Sequence, residues 1–173
     1  ASAEKPFFDS VEIFETQDAL WKRVLDLNHL PPDTKLPTDG LSAGIETGVL
    51  VAVTPEEYAR LRPEYASGRD SWMRVLAHEM IHRLHVNILA GKEDMMGPAW
   101  FYEGFAVIGA GLRLDSDLQY KSADKALAAV SKGGRGAYRR YAAGVRYFMG
   151  KTPLAELVKR AGHADFEDWL RKL

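Results

Sequence analysis

At 173 residues and 46% hydrophobic, the chain is long enough to bury one good core and hardly two, so a single domain over 1–173 is the expectation. Lysine plus arginine number 23 against 24 aspartates and glutamates, a balance that lacks the basic footprint of a nucleic-acid or anionic-membrane binder. Cysteine is absent, which excludes disulfides, thiolate zinc sites, iron–sulfur clusters and a thiol nucleophile; any metal must be held by His, Asp and Glu.

No apolar run approaches the ~20 residues that span a bilayer, so no transmembrane segment is expected. The opening ASAEKP has the small residues found around a signal-peptidase cut, which fits a soluble secreted or periplasmic protein. A trimmed boundary leaves the same residues.

In chain order, FFDSVEIF at 7–14 alternates apolar and polar residues in its second half and predicts a half-buried strand. A helix follows, with Thr16 as N-cap and Leu20, Val24 and Leu27 at helical spacing, before PPDTKLPTDG breaks regular structure. GVLVAV at 48–53 reads as a largely buried strand. In TPEEYARL, Thr54 caps a short helix, Pro55 opens its first turn, Glu57 completes a capping box and Pro63 stops it. A central helix is predicted from Asp70 or Ser71 to Ala90, with Gly91 as its stop. Beyond the GKEDMMG turn, Pro98 opens PAWFYEGFAVIGAG, apolar on nearly every side and expected to be buried. Further helices are predicted over 122–130, 137–149, 153–160 and 165–171. The fold class is α+β: a small N-terminal sheet over a central helix, with a mostly helical C-terminal half.

That central helix carries LAHEMIHRLH. Residues four apart share a helix face, so His78 and His82 project side by side, about 6 Å apart along the axis, and two nitrogens can meet one ion. Glu79 stands about 100° further round, where it can reach a water beside such an ion but not join the pair comfortably. This is the position of a general base. Two core histidines satisfied by carbonyls would give the same spacing.

A catalytic zinc takes three protein ligands and keeps an open position, which asks for a further donor from another element. Glu103, a lone carboxylate among Trp100, Phe101, Phe105 and Val107, is the candidate, because a charge in so apolar a helix is costly unless paired or ion-bound. Pairing with an arginine such as Arg113 is the other way to satisfy it. His85 lies about 10 Å along the axis from His78, an awkward reach for a shared ion, and reads as structural or supporting. His29 and His163 receive no role.

HEMIH, 20 intervening residues and then Glu103 within WFYEGFA resemble the gluzincin metallopeptidases, the aminopeptidase branch most closely. Those enzymes carry His-Glu-x-x-His, a gap of about this length, and Trp-x-x-Glu-Gly-Phe-Ala, which falls on Trp100, Glu103, Gly104, Phe105 and Ala106. Two linked motifs are far more specific than one. The likeness covers about 48–149 and, more faintly, YAAGVRYFMGKTPLAELVKRA, similar to the tail helices of small peptidase domains of this group. It departs in two places: Val107 stands where the thermolysin branch has an aspartate, and His85 where the metzincin pattern needs glycine.

The resemblance implies a zincin-like fold, Zn2+ held by His78, His82 and Glu103, and a peptide or protein substrate. Zinc would bring the pKa of its water to about 7, with Glu79 taking the proton as water attacks the carbonyl and returning it to the leaving amine. Relatives often add a tyrosine from a downstream helix as oxyanion donor, which nominates Tyr141 ahead of Tyr138. AGIETG is similar to the segment whose glutamate holds a substrate amine, which nominates Glu46. At a sheet edge, GVLVAV would offer main-chain hydrogen bonds to an extended substrate. Two other classes compete: a non-catalytic zinc domain with a structural or partner-binding role, and a metal-free helical interaction domain.

Overall fold

The computed structural model describes residues 8–38, 40–63, 69–112, 118–133 and 137–173. The ASAEKP opening and Arg113 lie outside them. Its internal contacts divide the chain into two compact units, Ala1–Met80 and Ile81–Leu173. The protein is α+β, a three-stranded sheet followed by helices.

In the first unit, β1 (Ser10–Phe14), β2 (Ala43–Glu46) and β3 (Val49–Val53) form a sheet of order β1-β3-β2. β3 is therefore the centre of the sheet and offers no edge to a substrate, contrary to the expectation for GVLVAV. The continuous apolar run was a sign of burial on both faces, not of position over a cleft. Strand β2 pairs antiparallel with β3 through a two-residue turn in which Thr47 (φ 48°) and Gly48 (φ 88°) both take the left-handed conformation that suits a tight hairpin. Strand β1 pairs parallel with β3, Ser10 opposite Val49 and Phe14 opposite Val53, and such a pair needs a crossover; α1 (Gln17–Leu27) supplies it.

Thr16 caps α1, its hydroxyl accepting from Ala19 N–H at 3.2 Å. The helix lays Leu20 and Val24 on Val49, Val51 and Val53, with Tyr58 of α2 (Pro55–Leu61) closing the cluster. On the other face Ala43, Leu50 and Ala52 pack with Val75 and Leu76 of α3 (Arg69–Ile88). The phase expected for β1 is reversed: Val11 and Ile13 are exposed, while Glu12 turns toward α1 and accepts two hydrogen bonds from Arg23, at 2.8 and 2.9 Å. At a sheet edge the pleat period survives, but burial depends on what covers each face.

Half of the expected capping box forms. Thr54 accepts from Glu57 N–H at 3.3 Å, but the Thr54 N–H donates to Phe14 O, leaving no donor for the Glu57 carboxylate to reach back to. That carboxylate instead accepts from Arg60 and from Gln17 N–H, which together hold its pKa down to about 2. Helix α3 ends as Ala90 (φ 55°) and Gly91 (φ 86°) turn left-handed and Gly91 N–H donates back to Val86 O at 2.9 Å.

The second unit is built on α4 (Ala99–Gly109), which buries Trp100, Phe101, Phe105, Ala106 and Val107 and starts after Pro98 at its N-cap. Around it lie α5 (Ala123–Val130), α6 (Ala137–Met149), α7 (Leu154–Arg160) and α8 (Phe166–Leu170), close to their predicted bounds. They share one apolar cluster containing Trp100, Phe101, Leu127, Val145, Phe148, Leu157 and Leu170. Helix α4 crosses α6 so closely that a Cβ on Gly104 would stand 2.6 Å from the carbonyl oxygen of Tyr141; only glycine fits. Glu103 and Tyr141 are thus brought to one helix crossing. No helix among the described residues is long and apolar enough to cross a membrane.

Candidate metal centre

Helix α3 runs unbroken through 20 residues, so its own 3.6-residue repeat places His78 and His82 on one face. Glu103 comes from α4. One ligand atom from each of His78, His82 and Glu103 lies within 4.8 Å of the other two, and the group could hold a metal ion. His78 is buried, while the side chains of His82 and Glu103 each keep 21% of their surface exposed.

His82 Nε2 and Glu103 Oε2 are 3.5 Å apart. A hydrogen on Nε2 would let His82 donate toward the carboxylate; with Nε2 unprotonated both atoms present lone pairs, and a cation between them is what makes the approach favourable. A tetrahedral ion bound at about 2.1 Å would set two of its ligand atoms about 3.4 Å apart, close to this separation. The donor set, two imidazoles and one carboxylate, also matches the chemistry of a divalent transition ion, and the three residues fit such an ion.

Glu79, the next residue along α3 from His78, is partly buried. Tyr141 is partly buried on α6, against α4 at Gly104; the ring of Tyr138 lies 6.3 Å away, edge to face. Glu46 ends β2 in the first unit, and its Oε2 accepts from Asn28 Nδ2 at 2.9 Å, so the carboxylate nominated as an amine holder is engaged locally.

One neighbour of the group was not singled out by sequence reasoning. Tyr102, immediately before Glu103, sets its ring edge-on to His82 at 5.7 Å between centroids. Burial, with the Glu103 carboxylate and the Tyr141 phenol nearby, raises the pKa of its hydroxyl. A tyrosine inside an apolar helix gives no periodic signal of its own; adjacency to the candidate ligand was the clue available. His85 is wholly buried, 4.8 Å from the ring of Phe105 and 5.9 Å from that of Phe101, and among the described residues neither of its nitrogens has a hydrogen-bond partner. Burial, then the proximity of His82, lowers its pKa to about 4. His85 is thus neutral at ordinary pH, a packing group one helical turn from His82. His29 takes a left-handed turn (φ 53°) after α1, and His163 is exposed.

Comparison of the chain with protein-family models, with curated proteins and with solved structures finds no match.

Proposed function

We propose that the protein is a zinc-dependent peptidase of zincin-like fold. The observation that carries this reading is the convergence of His78, His82 and Glu103, from two helices, within 4.8 Å, with Glu79 on the helix that bears both histidines. When bound, zinc there would supply Lewis acidity to a substrate carbonyl and to attacking water. Glu79, about 100° round the helix from His78, takes the water proton as the carbonyl carbon is attacked and delivers it to the departing amine nitrogen. Tyr141, at the crossing of α4 with α6, is the donor for the oxygen on which negative charge develops. The partial exposure of His82 and Glu103 leaves an approach for an extended peptide.

The second reading, a zinc domain without catalysis, shares the metal group and gives no role to Glu79 or Tyr141. Replacing Glu79 by Gln keeps the size of the side chain and removes the base. The Glu79→Gln protein is expected to retain one zinc per chain while peptide cleavage, followed by mass spectrometry on a peptide library, falls by about a thousandfold. An unchanged rate would remove Glu79 as base. Zinc-loaded wild-type protein that cleaves nothing in the library would favour the non-catalytic reading.

A further inference from the structure

A groove of about 460 Å3 opens on the second unit, lined from the end of α3 by Ile88 and Leu89 and from α7 by Leu154, Ala155, Val158 and Lys159. These four positions of α7 are spaced i, i+1, i+4 and i+5, so they share one face of that helix. Phe105 of α4 completes the lining; it is packed on the wholly buried ring of His85 at 4.8 Å, which makes its wall a preformed one. Neither His82 nor Glu103 lines the groove, and Ile88 and Leu89 stand about 9 to 10 Å further along α3 than His82. The groove is apolar except at Lys159, which is exposed and has no ion-pair partner among the described residues. Its neighbour Arg160 is engaged over the Trp169 ring at 4.9 Å, and Glu156 lies about 130° round α7 from the middle of the lining face.

We propose that this groove binds a medium-chain alkyl carboxylate, with the chain along Ile88, Leu89, Phe105, Leu154 and Val158 and the carboxylate on the Lys159 ammonium. Its volume falls within the ~300 to 1,000 Å3 of small-molecule sites, and it has their composition: apolar walls and one polar group that fixes orientation. Ile88 keeps 56% of its surface exposed, and an alkyl chain lying on it removes that surface from water without unpacking anything beneath. Leu154 and Lys159 are five helical rises apart, about 7.5 Å, and the lysine stem reaches further, which suits a chain of about ten carbons. The ion pair stands at an exposed rim, where such pairs contribute little. The tail therefore supplies most of the affinity, and Lys159 selects the sign of the head group.

The test compares decanoate with decyltrimethylammonium, probes with similar tails and opposite charges, by calorimetric titration below their micelle concentrations. Wild-type protein should bind decanoate with a Kd of about 0.1 mM, about tenfold more tightly than the cationic probe. Lys159→Glu should reverse that preference. Ala155→Phe, which places a ring in the groove from an exposed position, should weaken both probes about tenfold while leaving circular dichroism and zinc content unchanged. No decanoate binding to wild-type protein up to about 5 mM overturns the proposal, as do equal affinities for the two probes. A preference for decanoate that survives in Lys159→Glu overturns it as well, because the carboxylate would then sit elsewhere, on a metal ion for instance. Affinities that Ala155→Phe leaves unchanged would place the tail outside the groove and have the same force.

Discussion

His82 and His85 stand three residues apart on one helix, yet α4 treats them in opposite ways. Toward His82 it directs a carboxylate, 3.5 Å away, and the edge of the Tyr102 ring, while the imidazole keeps contact with solvent. Around His85 it closes the rings of Phe101 and Phe105, and the imidazole has no exposed surface at all. Phe101 and Phe105 are one helical turn apart and share a face; Tyr102 and Glu103 lie round the helix from them. The repeat of α3 pairs His82 rather than His85 with His78, and the face of α4 that each meets gives His82 a carboxylate and His85 two phenyl rings.

The largest effect should come from removing the wet member of the pair. His82→Ala is expected to weaken zinc binding by about a thousandfold in chelator competition, since two donors remain where a stable site needs three. Retained affinity would dissolve the contrast, because the ligand would then lie elsewhere. The dry member should show itself in acid. His85 has its pKa lowered to about 4 in the folded chain, against an ordinary 6.5, so the unfolded chain binds the proton first. The stability that neutral His85 represents is fully present above pH 6.5 and is lost as pH falls toward 4, about 3 kcal/mol in all. Urea unfolding across that window measures it. The smallest effect is expected from His85→Leu, which removes two buried nitrogens without hydrogen-bond partners among the described residues. It should leave zinc affinity within about twofold, stabilise the protein by about 1 kcal/mol at pH 7.5 and flatten the acid limb of the stability curve. A drop in zinc affinity as large as that of His82→Ala would mean the two histidines are not distinct.

Part of this contrast is legible in the sequence. A helix repeat fixes the relation of His78 to His82 whatever surrounds them, and the cost of an isolated carboxylate in an apolar helix points to Glu103 before any packing is known. The helices of the second half are punctuated by Pro98, Gly133 and Pro153, with Ser122 capping α5, and they fall close to where those signals put them. What the sequence hides is non-local. AGIE forms β2 although alanine and glycine have little preference for strands, because β3 is there to pair with it. GVLVAV shows that it is buried but not that a strand lies on either side of it. The exposure of Val11 and Ile13 and the diversion of Glu57 to Gln17 and Arg60 depend likewise on chain segments distant in sequence or on competing partners. Tyr102 belongs to this class as well: its spacing says helix, and only the approach of α3 gives it a histidine to touch.

The central claim is that three side chains hold one divalent ion. The direct measurement is a crystal structure of the zinc-loaded protein with anomalous data collected at the zinc edge. One strong anomalous peak is expected, at about 2.1 Å from a nitrogen of His78, a nitrogen of His82 and an oxygen of Glu103, with a remaining position open. No peak among these residues, or zinc bound only by other side chains, would contradict the account.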